Sequence, residues 1–203
     1  MANDEVQSPD NLARRRFLTA TTAVVGAVGV GFAAVPFIKS WDPSARAKLA
    51  GAPVIRALDD IAEGQQVVVM WRGQPIYIAR RTKAMLETLP GMDPLVVDPE
   101  SNNADQTPAY AKNEYRSIKP EILVVVGVCT HLGCAPEYVP EVKPMPFDPE
   151  WKGGYFCPCH KSKYDIAGRV FKAQPAPLAL LVPPYHFQDD NTLVIGVAPT
   201  GAA

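Results

Sequence analysis

Two hexapeptides, Cys129-Thr130-His131-Leu132-Gly133-Cys134 and Cys157-Pro158-Cys159-His160-Lys161-Ser162, contain all four cysteines of the chain and two of its three histidines. Thiolate and imidazole donors at chelating spacing mark metal chemistry. Each stretch offers one Cys and one His within reach of a common centre, plus one further Cys. Two thiolates on one iron and two imidazoles on a second form the donor set of a mixed-ligand [2Fe–2S] centre. Cys157 and His160 have two residues between them and can curl toward one centre, whereas neighbours in an extended loop, such as Cys159 and His160, diverge. Cys129 and His131 lie on the same side of an extended segment. The most economical ligand set is therefore Cys129, His131, Cys157 and His160, and Cys134 and Cys159 would then be free to form a disulfide. A mononuclear Cys2His2 zinc site and a pair of structural disulfides use the same residue types. Against both, disulfides need no histidine, and zinc needs no extra cysteine in each stretch.

These stretches match the C-T-H-L-G-C and C-P-C-H-x-S patterns of the Rieske iron–sulfur family, which the chain resembles. The resemblance extends through Ser162 and Tyr164, the apolar run at residues 122–128, and the loop Gln174-Pro175-Ala176-Pro177-Leu178. Within the family it points to the iron–sulfur subunits of bacterial ubiquinol–cytochrome c reductases, the bc1 complexes. Lys161 and Gln174 stand where that family usually has Gly. The resemblance implies a mainly β fold: an antiparallel β-sandwich carrying a smaller cluster-binding subdomain at residues 124–178. It implies that Ser162 donates to a bridging sulfide and Tyr164 to a cysteine ligand sulfur, with Leu132 shielding the cluster. It further implies docking on cytochrome b, where His131 or His160 takes a proton from ubiquinol, and electron delivery to cytochrome c1 within a dimeric complex. A Rieske subunit of another exported oxidoreductase, such as arsenite oxidase, shares the ligands and the export signal. The hydroxyls of Ser162 and Tyr164, the proline loop and an uncleaved anchor favour the quinol enzyme.

Such a head needs an address, and the amino terminus supplies one. Residues 17–38 carry no charge and are bounded by Arg14-Arg15-Arg16 and Lys39. At about 1.5 Å per residue a helix of this length spans a hydrocarbon core of roughly 30 Å. Arginines ahead of the span place the N-terminus in the cytoplasm and the head in the periplasm of the bacterial inner membrane. Arg14-Arg15-Arg16-Phe17-Leu18 also reads as a twin-arginine signal, the export route of folded cargo. Ala45-Arg46-Ala47 resembles a processing site, but it lies well beyond the apolar run, so the helix is read as an uncleaved, lipid-embedded anchor. The expected division is a cytoplasmic tail at 1–16, a transmembrane helix at 17–38, a hinge or linker at 39–52 and a periplasmic domain at 53–203.

The composition agrees with one anchor and one soluble domain. Net charge is −1 over 203 residues, which gives no electrostatic case for nucleic acid. Twenty-one prolines favour many loops and short strands. Runs at 67–71 and 75–79 around Arg72-Gly73 predict a hairpin. Further strands are expected at 122–128, 168–172, 178–182 and 192–197, and one short helix at 82–89, capped by Thr82 and ended by Pro90. Residues 101–115 read as a polar surface loop, and His186 as a packed or surface histidine in a strand.

Overall fold

The computed structural model describes residues 9–201 and separates into two compact units that divide between Lys48 and Leu49. Residues 1–8 of the expected tail lie outside the described residues. In the first unit, helix α1 (Pro9–Lys39) begins well before the apolar span. Proline at the first helical position has no N–H to lose, and three consecutive arginines are good helix formers, so the helix runs through the charged flank. The Thr19 hydroxyl donates back to the carbonyls of Arg15 and Arg16 at 2.9 and 3.0 Å, which satisfies a polar group on an otherwise apolar surface. Residues Asn11–Lys39 are long and apolar enough to cross a membrane. The connector is not extended throughout: α2 (Ala45–Ala50) forms within it, and the Ser44 hydroxyl accepts from Ala47 N–H at 3.1 Å in its first turn.

The second unit is built from short antiparallel strands: β1 (Val54–Ala57), β2 (Gln66–Trp71), β3 (Gln74–Arg80), β4 (Ile122–Val126), β5 (Glu137–Val139), β6 (Gly154–Phe156), β7 (Lys163–Asp165), β8 (Tyr185–Phe187) and β9 (Thr192–Ile195). They pair as three sheets, in the orders β1-β9-β8, β2-β3-β4 and β5-β6-β7. Between β2 and β3 the turn residues Arg72 and Gly73 both have positive φ, 51° and 75°. That is what a two-residue hairpin turn demands of a twisted strand pair. Every residue of β4 is buried, and its outer edge is covered in part by Val126 N–H donating to Leu181 O at 2.7 Å. The first two sheets share one core, through Trp71, Ile76, Ile78, Leu123, Val125, Leu193 and Ile195, and Tyr155 and Tyr164 of the third sheet join it.

Three expectations need correction. The strands predicted at 168–172 and 178–182 are irregular; Val170 and Phe171 make only isolated bridges, to Tyr164 and Val96. Prolines at 175, 177, 183 and 184 withhold the donors a ladder needs. Thr82 does cap α3 (Lys83–Leu86), its hydroxyl accepting from Met85 N–H. Pro90, however, does not end a longer helix. It sits in the first turn of α4 (Leu89–Met92), where the missing N–H is not needed.

The 101–115 segment is not a plain surface loop either, since Ser101, Thr107 and Ala111 are buried. It folds onto Arg116, whose guanidinium is fully buried and donates to the carbonyls of Gln106, Ala167, Gly168 and Leu180 and to the Thr107 hydroxyl. Arg81, equally buried, donates to the carbonyls of Tyr115, Ile166 and Pro120 and to Ser117 Oγ. Burial lowers both arginines to about 10, so both stay charged at neutral pH. Each satisfies loop carbonyls that no strand reaches, an obligation buried backbone cannot escape.

The third sheet is fastened to the rest through Tyr77 of β3. Its ring stacks on Tyr155 with centroids 5.9 Å apart, and its hydroxyl donates to Pro136 O at 3.0 Å. The ring fits because residue 127, just past β4, is glycine: a Cβ there would come within 2.2–2.6 Å of three Tyr77 ring carbons. Gly127→Ala should therefore destabilise the head by about 1–3 kcal/mol, the usual cost of overpacking. That corresponds to a Tm lower by roughly 2–12 °C. Calorimetry of Gly127→Ala, Tyr77→Leu and the double variant checks it: relieved overlap makes the double loss smaller than the sum of the two. Strictly additive losses would show that the two residues do not compete for space.

Candidate metal centre

The two cysteine–histidine loops close by the same backbone pattern. Cys129 N–H donates to Cys134 O at 2.7 Å and Cys129 O accepts from Gly133 N–H at 3.0 Å. In the second loop Cys157 N–H donates to Ser162 O at 2.8 Å and Cys157 O accepts from Lys161 N–H at 2.9 Å. The first loop follows β4 after Gly127 and Val128; the second joins β6 to β7. In both, the residue four places after the first cysteine has positive φ, 85° at Gly133 and 63° at Lys161. Lys161 thus holds a left-handed conformation that glycine adopts without cost and other residues adopt at about 1–2 kcal/mol.

A third segment, the proline-containing loop, braces both. Thr130 Oγ1 donates to Leu178 O at 2.6 Å, and Ala176 N–H donates to Ser162 Oγ at 3.1 Å. Gln174 adds a brace of its own, its side-chain oxygen accepting from Lys163 N–H at 3.2 Å. A disulfide between Cys134 and Cys159 joins the two cysteine loops directly.

The braced loops carry two free thiols and two imidazoles. Cys129 and Cys157 are free thiols, both buried. The imidazoles of His131 and His160 meet edge to face, centroids 4.6 Å apart, with His160 exposed and His131 partly so. Nδ1 of His131 is buried with no hydrogen-bond partner. A buried ring nitrogen without a partner is costly unless something outside the polypeptide binds it. Two unpaired thiols and an orphaned imidazole nitrogen fit a metal group of mixed sulfur and nitrogen ligation. The sulfurs of Cys134, Cys157 and Cys159 also lie within 4.8 Å of one another. That trio is not a ligand set, because two of its members are bonded to each other.

The hydroxyl groups around the thiols are oriented by their partners. Tyr164 Oη lies 3.1 Å from Cys129 Sγ and 3.3 Å from Thr130 Oγ1, and accepts from Thr130 N–H at 3.2 Å. Since Thr130 directs its own proton to Leu178 O, the Tyr164 proton is available to the Cys129 sulfur. Burial, with the adjoining Cys129 sulfur adding to it, pushes the Tyr164 hydroxyl far above its ordinary range, so it stays a donor. Ser162 is fully buried and accepts from Ala176 N–H, which leaves its proton for another acceptor.

The structure therefore sets Cys129 beside Tyr164, His131 against His160 and Cys157 beside the Cys134–Cys159 bridge, with Ser162 buried under the proline-containing loop and Leu132 71% exposed. It does not bring His186 there: Nδ1 of that residue lies 3.0 Å from Val197 O. Sequence reasoning missed the brace from Gln174 and the role of Arg116, which holds Gly168 and Leu180 on either side of the proline loop. Neither carries a local signal, since their partners are distant carbonyls. The bond from Thr130 to Leu178 likewise spans 48 positions.

Comparison with known proteins bears on this site directly. Residues 95–185 match the family described as "Rieske [2Fe-2S] domain", and residues 5–44 match "Ubiquitinol-cytochrome C reductase Fe-S subunit TAT signal". The ubiquinol-cytochrome c reductase iron-sulfur subunit of Allochromatium vinosum is 50% identical over 186 residues, covering 92% of this chain and 89% of that protein. The corresponding subunit of Rhodospirillum rubrum is 44% identical over 185 residues, covering 90% of this chain and 91% of its own length. A solved structure described as "Hyperthermophilic respiratory Complex III" aligns at 25% identity and a TM-score of 0.46, over 86% of this chain and 98% of that one. The head thus carries a Rieske-type iron–sulfur centre, and the export signal and single N-terminal helix put it in the periplasm, anchored in the inner membrane. By this evidence the chain belongs to the Rieske iron–sulfur subunits of bacterial ubiquinol–cytochrome c reductases, the electron-transfer subunits of bc1-type complexes.

Proposed function

We propose that Cys129 and Cys157 hold one iron of the [2Fe–2S] group and His131 and His160 the other. The observation that carries this is the pair of free, buried thiols on the same two loops as two facing imidazoles, one with an orphaned buried nitrogen. When bound, a group with this ligation supplies one-electron chemistry at roughly −150 to +300 mV, against about −400 mV for plant-type ferredoxin clusters. His131 turns its buried Nδ1 inward, so Nε2 is the ring atom left to hold or release a proton. At that nitrogen, or its counterpart on His160, a ubiquinol hydroxyl donates a hydrogen bond and then its proton. Exposed Leu132, next to His131 in the chain, and Leu178, whose carbonyl meets Thr130, offer apolar surface that would exclude water when the tip docks on cytochrome b. Residues 39–52 then serve as the hinge by which the 53–203 domain moves to cytochrome c1, with 17–38 remaining in the bilayer, 1–16 in the cytoplasm and 124–178 forming the cluster-binding subdomain. Assembly in a dimeric complex completes the reading.

Iron and acid-labile sulfide in equal amounts, and an EPR signal of mixed nitrogen and sulfur ligation in the reduced protein, are the expected result. Stoichiometric zinc with no such signal in protein from its native host would refute the ligand assignment. Tyr164→Phe and Ser162→Ala should each keep the group and lower its potential. A hydrogen bond to a charged acceptor contributes about 1.5–3 kcal/mol, and about 59 mV corresponds to about 1.4 kcal/mol in a one-electron couple. Only the difference between redox states counts, so losses of several tens of millivolts are expected in redox titrations. Unchanged potentials in both variants would show that neither hydroxyl faces the group.

Lys161 separates backbone geometry from charge. Lys161→Gly removes both the left-handed penalty and the ammonium; Lys161→Ala removes only the ammonium. The glycine variant should therefore resist thermal loss of the group better than the alanine variant, by up to about 1 kcal/mol after the entropy of glycine is deducted. Equal thermal stability would mean that the loop tolerates lysine without strain. Because Lys161 is exposed, solvent screening keeps the accompanying fall in potential small and alike in the two variants.

A further inference from the structure

All four cysteine sulfurs of this chain gather at one place. The Cys157 sulfur lies within 4.8 Å of both sulfurs of the Cys134–Cys159 bridge, and Cys129, the other free thiol, is its neighbour. A thiol beside a disulfide can exchange with it, through attack on either sulfur. No backbone element stands between them: Cys157 and Cys159 share a loop, and Cys134 reaches over from the other.

We infer that occupancy of the metal centre decides which cysteines are bridged: a bound Cys157 leaves the Cys134–Cys159 bridge in place, and an unbound Cys157 takes over as the partner of Cys134. This rests on the proposal above that Cys157 is a ligand. In the exchange the Cys157 sulfur attacks the Cys134 sulfur, the Cys134–Cys159 bond breaks, and its electron pair goes to the Cys159 sulfur. The proton given up by Cys157 ends on Cys159. One disulfide and one thiol are present before and after, so no oxidant is consumed. Attack on Cys159 instead would bridge residues only two apart, where a relaxed disulfide geometry is hard to reach. The new bridge still ties the two loops together, but it occupies a ligand position and exposes a thiol at Cys159, a surface residue.

The consequence is an order of assembly. If the group enters while all four thiols are reduced, Cys129 and Cys157 are occupied, and later oxidation can join only Cys134 to Cys159. If oxidation comes first, Cys157 competes for the same partner, and a ligand is lost. The twin-arginine signal matched at residues 5–44 suits the first order, since that route exports folded cargo from a reducing compartment.

The test uses the protein purified in its complex and kept free of reductant. One portion is stripped of iron with a chelator and incubated, then quenched in acid to stop exchange, unfolded and alkylated with N-ethylmaleimide. Labelled positions are mapped by tandem mass spectrometry. An unstripped portion, quenched in the same way, should be labelled at Cys129 and Cys157. In the stripped portion label should move from Cys157 to Cys159, rising there by about tenfold or more over the control. Label confined to Cys129 and Cys157 after prolonged incubation overturns the inference. Label on Cys159 in stripped Cys157→Ser protein overturns the assignment of Cys157 as the attacking thiol. Native-state alkylation keeps the two readings apart: modification of Cys157 in iron-loaded protein without iron loss defeats the ligand assignment, whereas protection there with no later movement of label defeats only the exchange.

Discussion

Everything in the head depends on holding two irregular loops together, so that the free thiols and the facing imidazoles they carry keep their places without help from a regular element. A ligand constellation of this kind tolerates displacements of only about half an ångström, yet loops are the least constrained part of a fold. Each loop answers this by bonding its first cysteine to its own far end through both N–H and C=O. Those bonds turn six residues into a closed ring whose curvature requires a left-handed residue at the same place in each. The disulfide and the two hydroxyl contacts to the proline-containing loop then fix the rings relative to one another. Thiols end up buried, while His160 is exposed and His131 partly so.

The scaffold beneath those loops is short of ladder. Its strands run to three to seven residues, and much of the chain between them is neither helix nor strand. Buried carbonyls in such segments need donors from elsewhere, and two guanidiniums provide them. Arg81 and Arg116 make no ion pair among the described residues; their bonds go to carbonyls and to the hydroxyls of Ser117 and Thr107. A planar fork of five N–H groups can bind carbonyls from several loops at once, which an ammonium cannot. Arg169 is the paired exception, held by Asp165 and Asp93 at 2.6 and 2.7 Å.

Tight packing against Tyr77 carries order from this scaffold to the site. The ring lies over Gly127, two residues ahead of Cys129, and its hydroxyl bonds Pro136, two residues past Cys134. The first cysteine loop is thus gripped at both ends by one side chain of β3. Tyr164 plays the matching part from β7, where its hydroxyl meets the Cys129 sulfur and the Thr130 amide. Two tyrosines from different sheets therefore place one cysteine, and the cost of a poor fit at either would fall on the metal centre.

The family of the metal centre, the anchor and the mainly β character were legible in the sequence because each rests on local information: cysteines and histidines grouped in two short stretches, a long uncharged run, alternation around a turn. The Arg72-Gly73 hairpin was legible for the same reason, since a two-residue turn is specified by its own residues. The strands at 168–172 and 178–182 were misread because β-branched and apolar residues signal extension, while nearby prolines decide whether a partner can pair. The helical start at Pro9 and the second helix at Pro90 show that the same residue ends or begins a helix according to which turn it enters. Only the tertiary structure decided that Gln174 braces β7, that Thr130 holds the proline-containing loop, and that Arg116 organises the 101–115 segment, because their partners are carbonyls and amides that every residue possesses. Backbone groups carry no sequence signature, so which of them a side chain meets is settled by the fold alone.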